Sequence, residues 1–166
     1  MSISDMIVVM KSGVVQQIGA PQDVYDSPAN LFVAKFLGTP PVNVFEGEVK
    51  GGKVMIGEDA VADAAGVPDQ PVWVGIRPEG FILDAEGPLH CDLKSVEVMG
   101  RDVSVVSGNA ACAAEFVRSI IDADQRKHII GDEVRFSVKP NKIFIFKKET
   151  EERILLPGQE KAAEED

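Results

Sequence analysis

The chain has 166 residues, with 17 Lys and Arg against 27 Asp and Glu, a formal charge of −10. Apolar residues make up 45% and charged residues 27%, which fits one or two small globular domains rather than a disordered chain. So negative a balance argues against a generic binder of nucleic acid or of anionic membrane, since both need a positive face.

The charge is unevenly spread. From Glu149 to Asp166 there are seven acids and two bases, half of the net charge. The two cysteines, Cys91 and Cys112, make no disulfide framework. Met1–Asp5 has neither the basic nor the apolar part of a signal peptide. No apolar run approaches the roughly 18–20 residues needed to span a bilayer. A soluble protein of a reducing compartment is expected.

In chain order, Ile7–Met10 and Val14–Ile18 flank Lys11-Ser12-Gly13 and read as a hairpin. Gly19-Ala20-Pro21 ends it. Pro21 suits the first position of a helix, with Asp23 in its first turn, and Ser27-Pro28 closes that helix quickly. Asn30 is placed to cap a second helix, Leu31–Leu37. Its Phe32, Val33, Phe36 and Leu37 share a face that must dock on something, and Gly38 ends it. Thr39-Pro40-Pro41 is a stiff link and the best domain boundary.

After residue 42 the texture becomes β. Short runs occur at Val44–Val49, Val54–Ile56, Val72–Ile76, Leu89–Met99, Val103–Val106, Cys112–Val117, Val134–Val138 and Ile143–Phe146, separated by Gly, Asn or Asp. Ile143-Phe144-Ile145-Phe146 is continuous rather than alternating, which predicts burial on both faces. Asp59–Gly66 reads as a loop or weak helix. The stretch from Glu149 has only Ile154-Leu155-Leu156 as an anchor and is expected to fray.

Gly47-Glu48-Val49-Lys50-Gly51-Gly52-Lys53 fits the spacing of a phosphate loop, but Val54 stands where Mg²⁺ chemistry needs Ser or Thr, and no helix follows. A hairpin turn at Lys50–Lys53 is the better reading. His90 and Cys91 are adjacent, so on a strand they point to opposite faces and would not share a metal ion. Both cysteines sit in apolar strand-like contexts that disfavour a reactive thiol. Asp122-Ala123-Asp124 lacks the pattern of a calcium loop. With Trp73 the single Trp and the bases scattered, a stacking platform for nucleic acid is absent; Lys139, Lys142, Lys147 and Lys148 form only a modest basic end. In Gly75-Ile76-Arg77-Pro78-Glu79-Gly80, Pro78 forces Arg77 into an extended backbone, so Arg77 and Glu79 point the same way and could pair with each other or with other strand ends.

Several of these pieces together resemble one family. Asp5–Met10, Gly13, Val14, Gln17, Gly19, Pro21, Tyr25, Pro28, Asn30, Phe32–Ala34 and Phe36–Gly38 resemble the end of the nucleotide-binding domain of ATP-binding cassette (ABC) import ATPases that energise uptake of sugars or glycerol phosphate. Thr39–Asn43 resembles their domain junction. Gly75-Ile76-Arg77-Pro78-Glu79 and Val96-Glu97-Val98-Met99-Gly100-Arg101-Asp102 resemble two hallmarks of their transport-associated OB-like (TOBE) regulatory barrel. Met6 departs from the family, which usually has a base there.

The resemblance implies a mainly β fold: residues 1–38 as the end of the ATPase domain, 39–42 as linker, 43–148 as a TOBE barrel and 149–166 as an acidic tail. It implies hallmark positions at Gly75, Arg77, Pro78, Glu79, Glu97, Gly100 and Asp102, with Arg77, Lys139 and Lys142 as candidate anion contacts. It implies a C-terminal piece of a longer ATPase subunit, since no L-S-G-G-Q signature or usable phosphate loop occurs here. No cofactor or metal is expected in this chain; ATP and Mg belong to the full subunit. The implied partners are a second copy, a membrane permease and a regulatory protein or small effector, at the cytoplasmic face of the membrane. A barrel that senses an oxyanion or metabolite is the alternative. Without the rest of the ATPase domain, residues 1–38 are expected to swap between chains or fold back on the barrel.

Overall fold

The computed structural model describes residues 6–38 and 40–159. Expectations for residues 1–5, Thr39 and 160–166 lie outside the described residues. The chain opens with an antiparallel hairpin, β1 (Ile7–Lys11) and β2 (Val14–Gly19). Ser12 and Gly13 turn it with positive φ of 51° and 80°, the combination that matches the twist of a two-residue hairpin loop. Helix α1 (Pro21–Asp26) starts on Pro21, and α2 (Leu31–Phe36) is capped by Asn30, whose side chain accepts from Val33 N at 3.0 Å.

The strands that follow are β3 (Asn43–Lys50), β4 (Lys53–Ile56), β5 (Asp59–Asp63), β6 (Gln70–Ile76), β7 (Phe81–Leu83), β8 (Leu89–Met99), β9 (Asp102–Gly108), β10 (Val117–Asp122), β11 (Glu133–Val138), β12 (Ile143–Lys147) and β13 (Arg153–Ile154). They form two antiparallel sheets. One has the order β13-β12-β6-β3-β4-β5, the other β10-β9-β8-β11-β7. The inner faces share one core that includes Phe45, Val74, Ile76, Leu89, Phe136, Ile143 and Ile145. Asn43, at 6% exposure, pins one sheet to the other. Its amide donates to the carbonyls of Ile76 (3.1 Å) and Arg118 (2.8 Å), and its Oδ1 accepts from Arg118 N (2.8 Å). With these links the sheets make a nearly closed, mainly β barrel of the OB-like type that the sequence pattern predicts.

Lys50–Lys53 is a hairpin turn, with Gly51 and Gly52 at φ 60° and 75°, and Lys50 pairs with Lys53. The phosphate-loop spacing there is coincidental. Ile143–Phe146 is buried on both faces. Ile143 and Ile145 enter the barrel core, while Phe144 and Phe146 pack outward on Leu31 and Ala34 of α2 and on Val42. This explains the continuous apolar run: the strand lies between two cores.

Four expectations are corrected. Asp59–Gly66 is a loop only at its end: Asp59–Asp63 is strand β5, which turns Val61 inward beside β4, and residues 64–66 turn out of it. The run Cys112–Val117 is not a strand. Its Cys112 makes an isolated bridge to Phe45, and the strand proper starts at Val117. The face Phe32, Val33, Phe36 and Leu37 of α2 docks only in part: Phe32 and Leu37 pack beside the buried Val33, but Phe36 does not join them. Leu31 and Ala34 meet the barrel, Val33 meets Val9 and Val24 under the hairpin, and Phe36 is 59% exposed. The stretch after Glu149 does not fray at once, because Arg153–Ile154 pairs with β12 and Leu156 is buried.

The N-terminal segment folds back on the barrel. The segment 151–153 stitches the two: Leu31 N donates to Glu151 O (3.0 Å), Arg153 N to Ala29 O (3.2 Å), and Asn30 bridges Glu152.

Candidate functional site

The seam between the two helices and the barrel is organised by Arg77. Strand β6 ends at Ile76, and Pro78 begins a 3₁₀ turn (Pro78–Gly80), so Arg77 is held extended at φ −64°, ψ 146° between them. Its side chain is 1% exposed. Nη1 donates to the carbonyls of Ala34 (2.8 Å) and Leu37 (3.0 Å), and Nη2 donates to the carbonyl of Tyr25 (2.8 Å). Ala34 and Leu37 lie in the last turn of α2 and just beyond it, where carbonyls lack helical partners. One guanidinium from the barrel therefore caps one helix and holds the end of the other. The planar fork suits this, and a lysine could not reach three carbonyls in fixed directions.

The rest of the seam surrounds that contact. The Tyr25 ring lies 4.0 Å from the guanidinium carbon, and its hydroxyl donates to the Glu79 carboxylate. Lys142 Nζ stands 3.7 Å from Glu79 and 3.6 Å from Asp26. Burial, with the Glu79 carboxylate beside it, raises the Tyr25 phenol well above its ordinary value. Burial lowers the Arg77 guanidinium, while nearby Tyr25, Glu79 and Asp26 favour its charge. Gly38 at φ 109° lets the chain turn here; a Cβ on it would stand 3.3 Å from the Tyr25 ring. A Cβ on Gly75 would meet Val42 and Phe146 at 3.3 and 3.4 Å, and one on Gly80 would stand 2.6 Å from the Lys142 side chain. Both glycines keep the barrel wall close to what covers it.

A second arginine borders the same seam. Arg153 donates from Nη1 to Ser27 Oγ and Pro28 O (each 3.1 Å) and from Nη2 to Gln159 Oε1 (3.1 Å). Its guanidinium carbon lies 4.6 Å from the Phe144 ring, whose centroid is also 5.7 Å from that of Arg77. Burial pushes Arg153 down to about 10, which leaves it charged at neutral pH.

Among the sequence-predicted positions, Gly75, Arg77, Pro78, Glu79 and Lys142 converge on the seam. Glu97, Gly100 and Asp102 do not. They are exposed at the far β8–β9 hairpin, where Gly100 turns the chain at φ 66° and Asp102 pairs with Met99. Lys139 is exposed and contributes only its backbone, donating to Gly80 O. Arg77 is not a surface anion contact, because its Nη groups are taken by carbonyls. Nor does it pair with Glu79, which binds Tyr25 and Lys142 instead. Sequence reasoning missed Asp26 and Arg153. The signal for Arg153 was a base immediately before an apolar run inside an acidic stretch.

Cys91 is buried, and desolvation raises its thiol to about 11. His90 points outward and pairs with Asp59 at 3.1 Å. Among the described residues no three His, Cys, Asp or Glu side chains cluster as metal ligands, and no helix is long and apolar enough to cross a membrane.

Residues 43–81 match the model of the CysA C-terminal regulatory domain, and residues 74–146 match that of the TOBE domain. Between them the two models span residues 43–146, the barrel. Beyond the barrel, the chain is similar to the sn-glycerol-3-phosphate import ATP-binding protein UgpC of Jannaschia sp. (strain CCS1), 36% identical over 88% of this chain and 41% of that protein. It is 35% identical to the lactose transport ATP-binding protein LacK of Rhizobium radiobacter, over 88% of this chain and 44% of that protein. The osmoprotective compounds uptake ATP-binding protein GgtA of Synechocystis sp. (strain ATCC 27184 / PCC 6803 / Kazusa) is 34% identical over 93% of this chain and 46% of that protein. The chain spans less than half the length of these relatives. A solved structure of the cytoplasmic molybdate-binding protein ModG aligns with 62% of this chain and 94% of that one at 16% identity and a TM-score of 0.45, a likeness too remote to carry an argument.

Proposed function

We propose that this chain is the regulatory and dimerisation module of the ATP-binding subunit of an ABC importer for sugars or glycerol phosphate. The observation that carries the regulatory half is the Arg77 seam. A buried side chain of the TOBE barrel holds the backbone of the two helices that precede it, so a displacement of either body changes the other's hydrogen bonds. In a full subunit those helices would belong to the ATPase domain, and the seam would link the barrel to the ATP cycle. ATP and Mg would bind there, outside this chain, and the subunit would work on a membrane permease at the cytoplasmic face. The chain itself is expected to turn over no ATP, since it lacks the phosphate loop and signature sequence.

The dimerisation half is supported by the hairpin. Val8, Met10, Val14 and Ile18 are exposed on a two-stranded sheet whose outer edges pair with no other strand among the described residues. Such a surface favours a second chain when no other domain covers it. Sedimentation velocity at micromolar concentration should give a dimer; a single monomeric species would contradict this half. Failure of Arg77→Leu to loosen α1 and α2 would contradict the other.

A further inference from the structure

Two grips from the barrel hold the N-terminal segment, and they are built differently. Arg77 takes the carbonyls of Tyr25, Ala34 and Leu37 at the helix ends. The second grip is the strap that follows β12. It turns at residues 148–151, pairs back on β12 through Arg153–Ile154, and buries Leu156 in the barrel core. Gln159 fastens its far end, with Nε2 donating to the carbonyls of Pro140 (3.1 Å) and Ile143 (2.6 Å). Between these anchors the strap crosses the link from α1 to α2. Leu31 N donates to Glu151 O, Arg153 N to Ala29 O, and Arg153 Nη1 to Ser27 and Pro28. That link belongs to the N-terminal body. Gln17 of the hairpin donates to Ser27 O (3.0 Å) and accepts from Ala29 N (2.8 Å), and Gln16 accepts from Asn30 (2.8 Å).

Three features weaken the strap. Glu151 sits at φ 64°, the left-handed region, in the hairpin turn between β12 and β13. An L side chain crowds its own backbone there, and glycine or asparagine is the usual residue at such a point. The Glu151 side chain makes no hydrogen bond or ion pair among the described residues to offset this. The second feature is charge. Arg77 and Arg153 each leave a buried Nε unpaired, so that does not separate them. Counter-charge does: Tyr25, Glu79 and Asp26 favour the charge on Arg77, whereas burial and the like charge of Arg77 both act against Arg153. The third is packing, since a cleft of about 330 Å³ opens between Asp26, Phe144, Arg153 and Gln159. We propose that the strap is the weaker grip and releases the α1–α2 link first, while Arg77 still holds the helix ends as a pivot. The helices then tilt on the barrel without leaving it. This deepens the regulatory reading of the seam and takes its role from that reading; the order of release is a property of this chain alone.

The test is residue-by-residue amide hydrogen exchange on the whole 166-residue chain, under conditions where rates report equilibrium opening. The Leu31 amide, at the first position of α2, has no helical partner and exchanges when the strap lets go. The Arg153 amide reports from the strap itself. The two should share one opening equilibrium, about tenfold or more larger than that of Val24 in α1 or of Arg77 in the barrel. Glu151→Gly should slow exchange at Leu31 and Arg153 about three- to tenfold, the relief of the left-handed strain less the added freedom of glycine, and leave Val24 unchanged. Glu151→Val, worse in that conformation, should hasten both. Equal protection of Leu31 and Val24, unlinked rates at Leu31 and Arg153, or no response to Glu151→Gly would overturn the proposal. If Glu151→Val does not fold, Glu151→Asn, which tolerates the left-handed region, should slow both amides, and unchanged rates overturn the proposal. Arg77→Leu keeps the two readings apart. If it leaves α1 and α2 protected the regulatory reading fails, and the Glu151 variants still decide whether the strap opens first.

Discussion

The barrel and the segment before it solve the same problem in different ways. The barrel buries its apolar residues against each other, with Phe45, Val74, Ile76, Leu89, Phe136 and Ile145 all inaccessible to water. Among the described residues the hairpin and helices have Val9, Val24 and Val33 as their own buried cluster, and leave Val8, Met10, Val14, Val15, Ile18 and Phe36 substantially exposed. Two short helices of six residues each are marginal alone. What holds them is borrowed from the barrel: the outer face of β12, the Arg77 fork and the strand around Arg153. The barrel is a unit with its own core; the segment is held largely through its seam. Perturbations of the seam should therefore separate the two, and perturbations of the barrel core should not.

The largest effect is expected from Phe144→Ala. The ring is 1% exposed and packs between the barrel wall and α2, so its loss should cost about 3–5 kcal/mol by denaturant unfolding. Arg77→Leu keeps an apolar side chain of similar volume but leaves one buried carbonyl, that of Ala34, and two part-buried ones, those of Leu37 and Tyr25, without the Arg77 donors. A loss of roughly 3 kcal/mol is expected, concentrated in the helices, given ~1–3 kcal/mol for each unsatisfied group and some relief from no longer burying a charge. A uniform loss of cooperativity across both regions would erase the distinction between them.

Tyr25→Phe removes the hydroxyl that donates to Glu79 and should cost about 1 kcal/mol at neutral pH. It also carries a pH signature. Because the folded phenol is raised above its ordinary 10.0, the stability linked to it is present below pH 10 and is lost as pH rises towards the folded value. Cys91 has the same sign, raised from 9.0 to about 11, so its share is lost between those values. Alkaline titration should weaken the parent chain from about pH 9 upward. The Tyr25→Phe chain should lose less above pH 10; identical alkaline profiles would remove Tyr25 from the account. The smallest effect is Asn30→Ala. Its cap on Val33 N should be worth about 1 kcal/mol or less, seen as faster amide exchange confined to the start of α2.

Much of this was legible in the residues themselves. Pro21, Asn30 and the Ser27-Pro28 stop fix both helices because capping and proline geometry act locally. The continuous run Ile143–Phe146 announced a strand with two buried faces. What was not legible depends on contacts distant in sequence. Asp59–Asp63 looks like a loop because Asp and Ala have weak strand preference, and only pairing with β4 makes it one. Arg77 looks like half of an ion pair with Glu79, since sequence shows their shared direction but not the helix ends 40 and 43 residues away that take its hydrogens. Phe36 was placed on a docked face by helical period alone, whereas a helix this short is positioned by whichever neighbours reach it.

The central claim is that Arg77 of the barrel holds the helices in place. Amide hydrogen exchange on the parent chain and on Arg77→Leu, followed residue by residue, tests it most directly. Amides of α1 and α2 should lose protection in the variant while those of β3, β6 and β9 keep theirs. Unchanged protection in the helices, or an equal loss in helices and strands, would contradict it.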